Sequence, residues 1–147
     1  MEVYKSECEL SKELDLEFKK KSRRWIGDFQ VSAAYLCSNQ ICWGYTILIY
    51  NNGLFTELFQ LEKEERIAYL DDLVKVSKAI YDAFKPHKMN YELLGNVVPH
   101  LHWHIIPRQK TDPIELHWPI WGKDYTEVKL SDDKYQKIVE KIRIHLQ

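Results

Sequence analysis

Three histidines at alternate positions, His100, His102 and His104, form the stretch of this chain whose residue types and spacing point most directly to chemistry. Single apolar residues separate them, and this alternation predicts a β-strand with one buried apolar face. All three imidazoles then lie on the other face, with neighbouring Cβ atoms ~6.6 Å apart. A neutral imidazole can attack phosphorus or carbonyl carbon, bind a metal or move protons. In such a row one histidine can act as nucleophile while its neighbours contact a leaving group or a phosphoryl oxygen.

Two other interpretations of the row stay open at this point. The first is a set of solvent-facing histidines on an exposed sheet, and the second is a metal site built on the His102-x-His104 pair. Zinc requires three or four protein ligands. The nearest downstream acid is Asp112, and the chain has no second His-x-His pair. We therefore predict a nucleophile rather than a metal ligand in this row.

The sequence Gly-Asn-Val-Val-Pro-His-Leu-His-Trp-His-Ile-Ile-Pro-Arg at 95–108 resembles the signature of the histidine-triad (HIT) family. That signature has three histidines alternating with hydrophobic residues, followed by two further hydrophobic residues. The similarity extends upstream to about Asp28. The segment Trp118-Pro-Ile-Trp-Gly122 is similar to a C-terminal stretch of some bacterial members. The resemblance is to bacterial HIT hydrolases of the diadenosine polyphosphate hydrolase type.

This resemblance implies a role for each histidine of the row. His102 would be the nucleophile that attacks the α-phosphorus of a nucleotide conjugate, giving a nucleotidyl-histidine that water then cleaves. His104 would contact the phosphate or the bridging oxygen and help the leaving group depart, while His100 would support the row by hydrogen bonding. Branches that transfer a nucleotide to a sugar phosphate typically carry glutamine at the third position, so His104 favours hydrolysis. The implied substrates are a dinucleoside polyphosphate, such as diadenosine tetraphosphate, or a nucleoside phosphoramidate.

Family positions also imply nucleotide contacts outside the row. Asn96 lies where many members have a glutamine or serine that contacts phosphate, and Asn90 resembles a family asparagine near the phosphate. A turn asparagine or aspartate usually holds the ribose, and the aligned residues here are Cys37 and Ser38. Asn39 would replace that contact after a one-residue shift. This altered turn supports an alternative function, a catalytically weak nucleotide-binding or partner-binding module.

Some family members bind structural zinc through a Cys-x-x-Cys pair near the N-terminus and a histidine near the position of Gly53. Here Cys8 is followed three positions later by Ser11, and Gly53 offers no ligand. The resemblance therefore implies no structural zinc and no tightly bound cofactor. Mg²⁺ is expected only as a companion of a polyphosphate substrate.

The elements that position the row can be predicted from hydrophobic periodicity and turn residues. In chain order they are a helix from Glu7 to about Lys21, strands from Asp28 to Leu36 and Cys42 to Tyr50, a long helix from Glu62 to Lys85, a strand from Met89 to Leu94 that leads to the histidine strand, and a last helix that Ser131 N-caps. The apolar face of the long helix is formed by Ile67, Leu70, Val74, Tyr81 and Phe84, with Leu73 and Ile80 beside it. The buried face of the last helix is formed by Tyr135, Ile138, Val139, Ile142 and Leu146.

This order of elements predicts an α+β fold rather than a parallel sheet, because strands and helices do not alternate regularly. The resemblance makes the fold a HIT-like antiparallel sheet with one long packed helix and a C-terminal helix, and it implies a homodimer. A length of 147 residues predicts one domain over residues 1–147. Net charge is −1, which indicates neither a nucleic acid nor a membrane as partner.

Three groups of residues bear on cellular location or on access of the substrate. The cysteines Cys8, Cys37 and Cys42 are an odd number without motif spacing, and we interpret them as reduced thiols of a cytoplasmic protein. The basic run Lys19 to Arg24 is interpreted as a solvated helix end, with phosphate steering as the functional alternative. The segment Trp118–Gly122 is interpreted as a packed loop, with a wall of the base or leaving-group pocket as the alternative.

Overall fold

The histidine row belongs to a five-stranded antiparallel sheet in a computed structural model that describes residues 22–147. The strands are β1 (Trp25–Asp28), β2 (Ser32–Leu36), β3 (Thr46–Tyr50), β4 (Lys88–Glu92) and β5 (His102–Arg108). Their order across the sheet is β1-β2-β3-β5-β4. The predicted α+β fold with an antiparallel sheet is confirmed. The predicted helix from Glu7 to Lys21 lies outside the described residues.

Two helices pack on this sheet, α1 (Lys63–Phe84) and α2 (Asp132–Arg143). Both ends of α1 agree with the prediction to within one residue. The helix stops because Lys85 adopts a left-handed conformation with φ 46°, and Pro86 cannot continue it. Ser131 precedes α2 as predicted, although its side chain makes no capping hydrogen bond. None of the helices within residues 22–147 combines the length and the apolar character needed to cross a membrane.

The face of α1 that packs on the sheet differs from the one predicted. Ile67, Leu70, Val74 and Tyr81 are between 44% and 60% exposed. The residues of α1 that are buried against the sheet lie to one side of this exposed stripe. They include Leu73 and Ile80, together with small and polar residues. This face also holds the large Tyr69, beside small side chains that let the helix approach the sheet closely, so the stripe from Ile67 to Tyr81 was the wrong guide to the packing face.

A tight turn held by α1 interrupts the start of the strand predicted from Asp28 to Leu36, so that Asp28 ends β1 and Ser32–Leu36 forms β2. The Asp72 carboxylate accepts the backbone N–H groups of Gln30 and Val31 at 3.1 and 2.9 Å, and the Ser32 hydroxyl donates to it at 2.7 Å. Asp72 is 1% exposed, and these bonds satisfy its buried oxygens. The predicted strand was therefore wrong at residues 29–31, and the prediction missed most of β1. The same contact fixes how α1 is rotated on the sheet.

The strand predicted from Cys42 begins only at Thr46, because a turn occupies the residues before it. The Tyr45 N–H donates to the Cys42 carbonyl at 3.0 Å, and Gly44 has a φ of +96°. A side chain at Gly44 would be strained at that φ, and its Cβ would lie 2.8 Å from the Phe84 ring. The glycine thus allows the turn that starts β3 and directs Tyr45 away from the helices.

The interior strand β5 has one face in the hydrophobic core and the other on the side that carries the histidines. Leu101 and Ile105 are buried in the core cluster with residues of α1 and α2, and Trp103 packs against them. His102 and His104 alternate with these residues, so they lie on the opposite face of the sheet. The predicted orientation of the strand is confirmed. The flanking strands β3 and β4 hold β5 along both edges.

Candidate active site

A cavity of about 600 Å³ opens on the face of the sheet that lies opposite the two helices. Its volume falls in the range that small-molecule sites occupy in proteins. The wall is assembled from the turn after β2, the loop before β5, β5 itself and the irregular segment that precedes α2. Polar or aromatic lining residues include Arg24, Ser38, Asn39, Tyr45, Asn96, His102, His104, Trp121, Tyr125 and Glu127.

Backbone carbonyl groups hold the first two histidines of the row. The Nε2–H of His100 donates to the Tyr50 carbonyl at 2.6 Å, and the Nδ1–H of His102 donates to the His100 carbonyl at 2.6 Å. A carbonyl oxygen only accepts hydrogen bonds, so each bonded ring nitrogen carries the proton. His102 therefore keeps an electron pair on Nε2. Its ring lines the cavity, whereas His100 lines a smaller recess beside it.

The third histidine is held by side chains instead. Nδ1 of His104 lies 2.5 Å from the Tyr45 hydroxyl. The Trp121 ring packs edge-to-face on His104 with centroids 5.6 Å apart, and the His102 ring lies 4.9 Å away. Sequence reasoning did not single out Tyr45, because a tyrosine just before a strand carries no motif. His104 thus presents Nε2 on the same face as the electron pair of His102.

Burial keeps both cavity histidines neutral near pH 7. Desolvation lowers the pKa of His102, against the opposing effect of its hydrogen bond to the His100 carbonyl. Desolvation, followed by repulsion from the charged form of His102, lowers the pKa of His104 to about 4. A neutral imidazole has one N–H and one lone pair, which is the state that a nucleophile requires.

Three residues singled out from the sequence meet at the cavity. Asn96 lines it from the loop before β5 and Ser38 from the turn after β2. Arg24, from the basic run, lines it as well, and its Nη1 donates to the Leu36 carbonyl at 2.9 Å. Arg23 of the same run instead donates to the Gln136 side chain at 2.6 Å, and Lys19 to Lys21 lie outside the described residues. The structure therefore brings an amide, a hydroxyl and a guanidinium into the cavity that the histidines line.

Asn39 also lines the cavity, but its side chain is engaged by the protein. Its Oδ1 accepts the N–H groups of Ile41 at 3.2 Å and Val128 at 3.0 Å. Its side chain also hydrogen-bonds Tyr125, which opposes the rise that burial causes in the pKa of that tyrosine. An amide oxygen has two lone pairs, and both are used here. Asn39 thus fastens the segment before α2 to the turn after β2.

Asn90 lies on β4 and is not among the residues that line the cavity. Its Oδ1 accepts a hydrogen bond from the Arg108 guanidinium at 3.3 Å. Arg108 is 1% exposed, and it also binds the Asp112 carboxylate at 3.0 Å. Its remaining N–H groups donate to backbone carbonyls of residues 114, 115 and 118. The structure thus gives Asn90 a contact to the arginine that organises the chain after β5.

The segment from Trp118 to Gly122 contributes one wall of the cavity. Trp121 lines it, and the Trp121 indole N–H donates to the Glu92 carboxylate. Trp118 instead faces a separate cavity on the far side of the segment. Burial raises the pKa of Glu92, and the indole N–H opposes that rise. Tyr125 and Glu127 were missed from the sequence, because their irregular segment has no periodicity that indicates a direction.

The described residues, 22–147, contain no cluster of three or more His, Cys, Asp or Glu side chains arranged to hold a metal ion. His117, the other histidine near this segment, is exposed and lies 3.3 Å from the Glu115 carboxylate. In this part of the chain, the chemistry that the site offers is that of two neutral imidazoles on one strand, facing a cavity with polar and aromatic walls.

Comparison with known proteins finds relatives of this chain, and the matching family model spans all five strands of the sheet. A family model described as HIT domain matches residues 19–111. The protein described as "Protein hit" from Bacillus subtilis (strain 168) is 31% identical over 98 residues, which covers 63% of this chain and 67% of that protein. A solved histidine triad protein from Bradyrhizobium japonicum is 23% identical, with a TM-score of 0.77, over 90% of this chain and 96% of its own. The Plasmodium falciparum diadenosine triphosphate hydrolase is 15% identical, with a TM-score of 0.62, over 85% and 77%.

Proposed function

Because the chain belongs to the HIT domain family, we propose that it is a nucleotide hydrolase that cleaves at the α-phosphate of a nucleotide conjugate. The reaction passes through a nucleotidyl-histidine formed on His102. The observation that carries this proposal is the hydrogen bond of 2.6 Å from His102 Nδ1–H to the His100 carbonyl. It leaves the electron pair on Nε2 of a ring that lines the cavity.

In the first step, His102 Nε2 attacks the α-phosphorus, an N–P bond forms, and the bond from phosphorus to the leaving group breaks. In the second step, water attacks the same phosphorus, the N–P bond breaks, and the nucleoside monophosphate leaves. Phosphoryl transfer depends mainly on alignment and on neutralising charge at the phosphoryl oxygens. The backbone aligns His102, because the carbonyl of His100, two residues earlier, fixes the direction of its ring.

The remaining lining residues supply contacts for phosphate and nucleoside. Asn96 and Arg24 offer N–H donors to phosphoryl oxygens, and Ser38 offers a hydroxyl to the ribose. His104 offers its ring to the bridging oxygen. Trp121 and Tyr125, whose ring centroids are 6.3 Å apart, offer flat apolar surfaces beside His104. All of these groups line the cavity, which supports an anionic, partly aromatic ligand.

Two substrate classes present the same α-phosphate to His102, namely dinucleoside polyphosphates such as diadenosine tetraphosphate and nucleoside phosphoramidates. The fold that this chain shares with a diadenosine triphosphate hydrolase supports the first class. We expect Mg²⁺ to reach the site with the polyphosphate chain rather than through a resident site. We also place the protein in the cytoplasm, with a nucleotide as its small-molecule partner.

The test is to incubate the protein with diadenosine tetraphosphate and, in parallel, with an adenosine phosphoramidate, and to resolve the products by chromatography. Release of AMP by the wild type, with none from the His102→Ala variant, supports the proposal. The faster substrate identifies the class of leaving group. Rapid quenching in alkaline denaturant, in which an N–P bond to histidine is stable, should also trap a nucleotide on the wild-type protein. Cleavage that survives in His102→Ala would contradict the assignment of the nucleophile.

A second candidate function is a nucleotide-binding or partner-binding module with little turnover. The observation that favours it is the engagement of Asn39, whose Oδ1 is filled by two backbone N–H groups. The turn then lacks the usual acidic or amide contact to the ribose. A nucleotide that raises the melting temperature without being cleaved would favour this module over the hydrolase.

We further propose that two copies of the chain form a dimer. Strand β4 is at the edge of the sheet, and its outer side has no partner strand within the described residues. The apolar stripe of α1, formed by Ile67, Leu70, Val74 and Tyr81, is exposed. An open strand edge and an exposed apolar stripe are features that proteins usually cover.

Sedimentation velocity tests the dimer. We expect the wild type to sediment as a dimer and a Val74→Glu variant as a monomer, because the charge would be buried in the contact. Lys137→Glu, an exposed substitution on α2, is the matched control and should remain dimeric. A monomeric wild type, or a dimeric Val74→Glu, would contradict the proposed contact.

A further inference from the structure

Tyr45 places its hydroxyl 2.5 Å from Nδ1 of His104, on the side of the ring away from the phosphate contact. The tyrosine is 1% exposed and the histidine 8% exposed, so bulk water hardly competes for this bond. Both groups are neutral, because burial raises the pKa of Tyr45 far above its ordinary value and lowers the pKa of His104 to about 4. The direction of the bond therefore decides which nitrogen of His104 carries its one proton.

The Cys37 side chain also hydrogen-bonds the Tyr45 hydroxyl, but a thiol sulfur is a weaker acceptor than an imidazole nitrogen, so the hydroxyl donates its hydrogen bond to His104. The lone pair of a neutral imidazole is a stronger acceptor than a phenol oxygen, and a phenol O–H is a stronger donor than a neutral imidazole N–H. With Nδ1 accepting, the proton of His104 is on Nε2. His102 has the opposite arrangement, because its Nδ1–H donates to the His100 carbonyl. Two neighbouring rings on one strand are thus held in different tautomers.

The turn that carries Tyr45 is braced by a buried glutamine. Gln40 is 0% exposed. Its Nε2 donates to the Tyr45 carbonyl at 2.9 Å, and its Oε1 accepts the Gly44 N–H at 2.9 Å. The Thr46 hydroxyl donates to the Gly44 carbonyl at 2.9 Å. These bonds fix the backbone on both sides of Tyr45, so the position of its hydroxyl follows from the turn and not from His104 alone.

We infer that Tyr45 is a positioning residue that fixes His104 as the Nε2–H tautomer and so makes it a hydrogen-bond donor beside the nucleophile. The inference rests on the proposed hydrolase function. As the electron pair of His102 Nε2 forms the N–P bond, the electron pair of the breaking P–O bond moves to the leaving oxygen. The His104 Nε2–H donates a hydrogen bond to that oxygen. The proton stays on His104 throughout, so the step balances without a proton from solvent.

Nitrogen-15 NMR of the histidine rings tests the tautomers without any substrate. In the wild type we expect His104 as Nε2–H with a hydrogen-bonded Nδ1, and His102 as Nδ1–H. In Tyr45→Phe the Nδ1 resonance of His104 should lose its hydrogen-bonded shift, and both tautomers should be populated. Tyr69→Phe is the matched control, because it removes a buried hydroxyl that donates to the Leu48 carbonyl at 2.9 Å. It should leave both rings as in the wild type.

Kinetics with diadenosine tetraphosphate test the catalytic consequence. We expect Tyr45→Phe to lower kcat about tenfold, the scale of one lost hydrogen bond, with KM nearly unchanged. Tyr69→Phe should keep the wild-type kcat. A wild-type His104 found as Nδ1–H would overturn the inference, and so would a Tyr45→Phe variant with unchanged ring shifts or unchanged kcat. A wild type that cleaves nothing would refute the hydrolase, while the NMR result would still decide the tautomer.

Discussion

The two ends of the histidine row are held in different ways. His100 donates to the Tyr50 carbonyl of β3, and His102 donates to the His100 carbonyl just before β5. His104 instead contacts the Tyr45 side chain and the Trp121 ring, which come from irregular parts of the chain. The first arrangement is a property of the sheet itself and persists as long as the sheet is paired. The second depends on particular side chains, so single substitutions can change it without changing the fold.

Replacing each cavity histidine by alanine should reveal the largest difference in kcat between the two ends of the histidine row. We expect His102→Ala to lower kcat by on the order of 10⁴-fold or more, as loss of a covalent nucleophile does. His104→Ala should lower kcat by roughly 10²-fold, the scale of one lost donor to a developing charge. Steady-state assays with AMP detection measure both. Equal losses in the two variants would show that the difference in ring contacts has no functional counterpart.

Acid should destabilise the protein through His104. Its folded-state pKa of about 4 lies below the ordinary 6.5, so the unfolded chain binds the proton first as the pH falls. Stability therefore decreases between these two values, by roughly 2.5 kcal/mol at about pH 4.5. Urea unfolding of the wild type and of His104→Gln at neutral and acid pH measures the difference. The inference from burial is wrong if both proteins lose the same stability.

Truncating the aromatic wall should have the smallest effect. Trp121→Ala removes the ring that packs on His104, and we expect kcat/KM to fall roughly fivefold, within the range measured for aromatic contacts. The melting temperature should hardly change, because the ring is 48% exposed. Trp118→Ala is the matched control, since that ring faces the other cavity and its carbonyl contact to Arg108 is kept. An equal loss in both variants would mean that Trp121 has no special contact with the ligand.

The end of the row that is held by backbone is also the part that could be predicted from sequence. Strict alternation through residues 100–105 identified β5 and the orientation of its histidines. Helix periodicity and Pro86 located α1 to within one residue at each end. These signals are local, because a strand or helix pattern contains its own register. Once β5 pairs with β3, the backbone itself supplies the His100 carbonyl that the His102 ring contacts.

The end held by side chains could not be predicted in the same way. Tyr45 contacts a residue 59 positions away, and no local pattern encodes that pairing. Trp121 was considered as a wall, but its distinction from Trp118 depends on the path of an irregular segment. The packing face of α1 was missed for a related reason, since Asp72 and small residues fix it rather than the largest apolar ones. The Tyr45 contact, the difference between Trp121 and Trp118, and the packing face of α1 all depend on long-range contacts of single side chains.

Arg108 has a consequence for how this protein can diverge. It is buried at the end of the strand that carries the histidines, and it holds the following segment through the carbonyls of Ile114, Glu115 and Trp118. Every residue type supplies a carbonyl, so the path of that segment does not depend on which side chains occupy it. Mutation can therefore exchange the residues of this segment that line the cavity while the segment keeps its course. The arrangement lets ligand preference change over a histidine strand that stays the same.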